Sequence, residues 1–169
     1  MKQLFILASS LLLSTALLAQ RYAVIDTRYI YEKMPDYKQV QKTIETTAAN
    51  WQKEIDTKQA VLDNLYEEYD AQQTMWSDGT RRKKEDDLYN KEKELRELQK
   101  KYFGFEGELF KKRVELMKPL QEKLNEAIKK YTTNYGYDLI LDKSEGKTII
   151  FADPKLDKSD EILKEMRLR

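Results

Sequence analysis

Between Tyr37 and Trp76 the chain contains neither glycine nor proline, and its apolar side chains fall into two interleaved series spaced by seven residues. One series is Tyr37, Ile44, Trp51, Lys58, Leu65 and Gln72; the other is Gln41, Ala48, Ile55, Leu62, Tyr69 and Trp76. The offset between them alternates four and three, which makes the seam of a coiled coil rather than the broad apolar face of a globular helix. Gln41, Lys58 and Gln72 leave that seam imperfect. At 1.5 Å per residue the helix would be about 60 Å long. Ser77-Asp78-Gly79-Thr80 is the clear breaker inside the charged middle of the chain. After it Leu88, Leu95, Tyr102, Leu109 and Leu116 restore the spacing, supported by Leu98 and Phe105. Two heptad segments joined by a short turn pair with each other by folding back, so residues 37–119 are expected to form a long antiparallel helical hairpin with its tip near 77–80.

The returning helix, 81 to about 135, outlasts the outgoing one. Counting from the tip, Leu120 comes level with Tyr37, and Pro119 stands at the crossing where a lost hydrogen bond would kink the helix. Gly136 is placed to end it as the left-handed C′ residue. The two chain ends read differently. Tyr22 to Asp26 is a β-branched apolar run, hence a strand; Asp26 or Thr27 caps a short helix through Tyr31, and Asp36 after Pro35 caps the long one. Tyr137–Asp142 and Thr148–Ala152, separated by a turn containing Gly146, read as a β-hairpin. Asp157 or Ser159 then caps a last helix over 160–168. The fold class expected is α+β, with a small β body built from 20–36 and 120–169 and the hairpin arm inserted between them.

A body of roughly 60 residues is marginal as a single core, and three short strands leave unpaired edges. The expectation is a small symmetric oligomer held through Val24, Ile25, Leu139, Ile140, Leu141, Ile149, Ile150 and Phe151, with arms projecting from it. A monomer with the hairpin folded over the sheet would leave the heptads facing nothing continuous.

With no His and no Cys, the chain lacks the groups for Ser-His-Asp or Cys-His nucleophiles, zinc fingers and disulfides. The carboxylates and tyrosines lie in heptad flanks, and no pocket pattern gathers them, so neither catalysis nor a cofactor or metal is expected. Residues 1–19 carry Lys2, an apolar run from Leu4 to Leu18 and Ala19 at the cut, the parts of a secretory signal. The run is short of the ~20 residues that span hydrocarbon. Cleavage would remove only Lys2 from 31 Lys+Arg against 30 Asp+Glu, leaving the exported chain neutral. That balance lacks the basic footprint of a nucleic-acid binder.

Two stretches carry a resemblance. Tyr22-Ala-Val-Ile-Asp-Thr-Arg-Tyr-Ile-Tyr-Glu-Lys-Met-Pro-Asp-Tyr-Lys resembles the start of the Skp/OmpH family of periplasmic chaperones. Tyr135-Gly-Tyr-Asp-Leu-Ile-Leu-Asp-Lys, Ile149-Ile-Phe-Ala-Asp-Pro and Leu156-Asp-Lys-Ser-Asp-Glu-Ile-Leu are similar to its end. The resemblance implies a periplasmic homotrimer shaped like a jellyfish, whose β body joins three chains and whose helical arms enclose unfolded outer-membrane proteins without ATP. Well-known members are strongly basic, and here the charge is neutral. The alternative is a passive coiled-coil scaffold or envelope spacer, which needs the hairpin but no accessible apolar face.

Client contact by enclosure calls for many weak, non-directional contacts from aromatic and flexible apolar side chains. Tyr66, Met75, Trp76 and Tyr89 near the outer arm are the candidates, although Trp76, like Tyr69, also falls on the seam. Arg81, Arg82, Lys83 and Lys84 form a basic tip suited to anionic clients or to lipid headgroups at a membrane surface, with Asp78, Glu85, Asp86 and Asp87 close by. Gly104 and Gly107 interrupt a strong helix former, each at a cost of roughly 1 kcal/mol. They read either as room for the indole of Trp51 or as a hinge that lets the arm open.

Overall fold

The computed structural model describes residues 20–146 and 149–168. The signal segment 1–19 and Thr148 of the expected second hairpin strand lie outside them. Strand β1 (Tyr22–Ile25) leads into helix α1 (Thr27–Lys33), and helix α2 follows over Pro35–Gln72. A 3-10 turn at Gln73–Met75 precedes α3 (Asp78–Phe103), then α4 (Glu108–Tyr135), β2 (Leu139–Asp142), a second 3-10 turn at Pro154–Leu156 and α5 (Ser159–Glu165). The chain divides into two compact units, 34–122 and the two ends 20–33 with 123–168.

In the unit 34–122, α2 and α3 run antiparallel. Ile55, Leu62, Leu88 and Leu95 are buried between them, with Leu65, Tyr69, Leu98 and Tyr102 packed alongside. Each fully buried leucine or isoleucine removes enough apolar surface from water to contribute about 1.5–3 kcal/mol. The heptad pairing is thus real, and its start and turn differ in detail from expectation. Helix α2 begins with Pro35 at its first position after an extended Met34, so Asp36 lies inside the first turn rather than capping it. Proline there loses no hydrogen bond, because the first amides of a helix have no internal partner. At the tip, of the expected breaker Ser77-Asp78-Gly79-Thr80 only Ser77 lies outside the helices, and the chain turns through 73–77. The Ser77 side chain accepts from the Thr80 amide at 3.3 Å, and α3 already starts at Asp78.

The returning helix is also not continuous. It stops at Phe103 and restarts at Glu108, with Gly104 in extended backbone at ψ 174° and Glu106 at φ 53°. Phe105, expected as a seam residue, is therefore turned out of the seam and is 98 % exposed. Pro119 sits inside α4, which carries on through it to Tyr135.

The other unit is built on Ile25, Ile30, Leu124, Ala127, Tyr131, Ile162 and Leu163. These come from β1, α1, the second half of α4 and α5. Gly136 at φ 65° ends α4, its amide and that of Tyr137 both bonding the Thr132 carbonyl. The expected β-hairpin does not form. Instead β2 pairs with β1 in parallel, in the register Tyr22↔Leu139 to Ile25↔Asp142. Parallel partners need a long crossover, and here everything between Asp26 and Asp138 supplies it. Ile149, Ile150 and Phe151 belong to no strand among the described residues, and Ile150 and Phe151 are almost fully exposed. β1 is covered on both sides, because its second edge is taken by the segment after Pro154, where the Lys158 amide bonds the Val24 carbonyl and the Ser159 hydroxyl accepts from the Asp26 amide. Apolar sequence on both sides of a turn predicts strands but does not say which strand each will pair with.

Candidate functional site

The arm presents its candidate residues on three stretches. Near the tip, the 3-10 turn lifts Met75 to 81 % exposure. Trp76 is half-buried, edge-on to Tyr69 at 5.8 Å between ring centres and covered by the Lys84 ammonium at 5.4 Å. The indole thus closes the end of the seam. Of the four basic tip residues, Arg81 pairs with Asp78 at 2.8 Å and Lys84 with Glu68 at 3.2 Å. Arg82 and Lys83 are exposed and make no ion pair among the described residues.

Farther along, tyrosines bond carboxylates across the two helices. The Tyr66 hydroxyl donates to Glu92 at 2.7 Å and the Tyr102 hydroxyl to Glu54 at 2.8 Å, while Tyr69 donates to Glu85. These bonds hold all three phenols above the ordinary tyrosine range, because losing the proton would put an anion against a carboxylate. Glu92 is held below its usual range by the bond from Tyr66 and by Arg96. Tyr66 therefore has a structural tie as well as an exposed ring, whereas Tyr89 is 61 % exposed.

The third stretch is the helix break, where the sequence motif Phe103-Gly-Phe-Glu-Gly sits. The Trp51 ring stacks on Tyr102, two residues before Gly104, with centres 4.7 Å apart and planes 4° from parallel. A side chain at Gly104 would meet the Lys100 carbonyl at 2.3 Å, and one at Gly107 the Lys101 carbonyl at 2.9 Å. Both glycines thus serve the path of their own backbone. What lies exposed around the break was missed in the sequence: Phe103, Phe105, Phe110 at 53 % and Val114 at 51 % are apolar side chains in solvent within a dozen residues. The signal was present. Two glycines three apart weaken a heptad run by roughly 2 kcal/mol together, so an aromatic between them is the seam residue most easily lost to a break.

In the unit of the two chain ends, Val24 and Ile25 are buried and Ile140 half-buried, but Leu139 and Leu141 are exposed on β2. The outer edge of β2 has no strand partner among the described residues.

This fold has known counterparts. The family model for outer membrane protein (OmpH-like) matches residues 21–166. The crystal structure of an OmpH-like outer membrane chaperone candidate from Caulobacter crescentus CB15 superposes with a TM-score of 0.66 at 15 % identity, covering 87 % of this chain and 83 % of that one. No curated protein matches the chain in sequence. The match over nearly all the described residues shows that the chain belongs to the OmpH-like outer membrane protein family.

Proposed function

We propose that this chain is an ATP-independent holdase of the periplasm, which encloses unfolded outer-membrane proteins between helical arms and keeps them from aggregating. The family and the fold support a chaperone role. The observation that carries the finer reading is the set of exposed apolar side chains, Met75, Tyr89, Phe105 and Phe110, on a hairpin that is otherwise charged and well paired. A hairpin that only spaced two surfaces would have no use for them, since exposed aromatics invite association. Flexible and aromatic side chains grip many sequences weakly, as a client-tolerant chaperone requires.

Enclosure needs several arms, and we place the homotrimer contact on the unit of the two ends. The open edge of β2, with Leu139 and Leu141, and the unpaired Ile149, Ile150 and Phe151 support strand addition between copies. Arg82 and Lys83 would add grip on acidic clients or anionic headgroups, and the break at Gly104 and Gly107 would act as the hinge. Removal of residues 1–19 on export completes the reading.

The test is dilution of a urea-unfolded β-barrel outer-membrane protein into buffer with and without the mature chain, followed by light scattering. Suppression without nucleotide is expected. Unchanged scattering would leave the scaffold or spacer reading. Mass measurement in solution tests the trimer, which a stable monomer would exclude.

A further inference from the structure

We propose that the helix break carries a docking site for an aromatic residue with an acidic neighbour in an unfolded polypeptide. This deepens the holdase reading and rests on it. A shallow groove of about 190 Å³ opens there, lined by Tyr102, Phe103, Gly104, Leu109, Phe110 and Arg113. Pockets for small molecules run from about 300 Å³ upward, so this one has room for a single side chain. Three of its walls are aromatic. Tyr102 and Phe103 meet edge to face, 6.5 Å apart at 85°, and since Tyr102 is already stacked on Trp51 and lies under the Lys101 ammonium, Phe103 and Phe110 are the rings left to meet an incoming one in a tilted manner.

Charge selects the neighbour of that ring. Lys111 pairs with Glu108 at 3.1 Å and Lys112 with Glu115 at 3.2 Å. Arg113, beside them, is exposed and has no ion pair among the described residues. It is the one charged side chain lining the groove, while Glu106 lies outside it. A guanidinium at the lip of an aromatic groove can donate two parallel N–H bonds to a carboxylate. The residues suit this conformation: a Cβ at Gly104 would meet the Lys100 carbonyl, and Glu106 holds a left-handed conformation that ordinary residues avoid. Those two features leave Phe105, between them in sequence, in solvent instead of in the seam.

The experiment uses fluorescein-labelled nine-residue peptides, with Phe-Asp, Phe-Lys or Leu-Asp at the centre of a Ser/Gly frame, titrated with the full mature chain and read by anisotropy. Phe-Asp is expected to bind tightest. Phe110→Ser should weaken both Phe peptides roughly tenfold, as loss of an aromatic anchor does, and Arg113→Glu should reverse the order so that Phe-Lys binds best. Both positions are exposed, and circular dichroism checks that each variant stays folded. An order unchanged in Arg113→Glu, or Phe peptides unaffected by Phe110→Ser, overturns the site. So does a fall in solution mass for Phe105→Ser with Phe110→Ser, which would mean that a second copy covers the groove. If the unsubstituted chain suppresses aggregation but shows no peptide order, this site alone falls; if it fails to suppress aggregation, the holdase reading falls and the site with it.

Discussion

Trp51 and Tyr102 lie face to face across the arm, ring centres 4.7 Å apart and planes within 4° of parallel, and the Tyr102 hydroxyl donates to Glu54 on the same helix as Trp51. The stack clamps the last turn of α3 just before the chain leaves helical geometry at Gly104. A coupling energy of about 0.5–1.5 kcal/mol is expected between Trp51→Ala and Tyr102→Ala in a double-mutant cycle, measured by guanidinium unfolding. Purely additive losses would show that the stack does not hold the helices together. Tyr102→Phe, which keeps the ring and drops the bond to Glu54, should cost less than Tyr102→Ala.

At the break, the two unusual backbones respond oppositely to substitution. Gly104→Ala drives a methyl into the Lys100 carbonyl at 2.3 Å and should destabilise the arm by roughly 1–3 kcal/mol. Glu106→Gly removes the strain of φ 53° and should gain roughly 0.5–1 kcal/mol. The hinge reading also requires amides 104–107 to exchange hydrogen faster than the helices on either side. Exchange as slow as in α3 would end it.

Ser77→Ala deletes the cap at the tip and should cost about 1 kcal/mol of arm stability. Gly79→Ala should do the reverse. Position 79 is helical, with nothing within 4 Å of an added methyl, so alanine is expected to stabilise by about 0.5–1 kcal/mol. Thermal unfolding of the two variants checks the pair, and a loss on Gly79→Ala would restore glycine as the residue that makes the turn.

The unit of the two ends should be acid-sensitive through Asp142 and Asp157. Burial raises both carboxyls, but more than this is offset for Asp157 by Lys143 and Ser159, and for Asp142 by Thr27 and Ser144, so each sits below its ordinary value. A carboxyl depressed in the folded state contributes stability that is complete above its unfolded value of about 4 and lost as pH falls through the folded one. Lys143 is raised, chiefly by its bond to Asp157, so its contribution is whole below about 10.4 and lost as pH climbs further. Stability by circular dichroism should be level near neutrality and fall below about pH 4. Asp157→Asn should shallow both limbs, since it removes the depressed carboxyl and the bond that raises Lys143, while Lys143→Met should remove the lysine's alkaline contribution and only part of the acid one, because Ser159 still bonds Asp157.

Local patterns in the sequence determined the helical arm, because a seven-residue repeat buries Ile55, Leu62, Leu88 and Leu95 on one line whatever else the chain does. The Gly136 stop was likewise legible, since a left-handed C′ residue needs only its own backbone freedom. So was the strand at Val24 and Ile25. The tertiary structure alone decided the rest. A strand carries no label for its partner: β2 pairs with one edge of β1, Lys158 and Ser159 bond the other side, and Ile149 to Phe151 stay outside the sheet. Phe105 shared the heptad spacing of the seam, yet the glycine-bounded break turned it into solvent. Periodicity reports which side chains could share a face. Only the folded backbone shows whether the helix that would align them is unbroken.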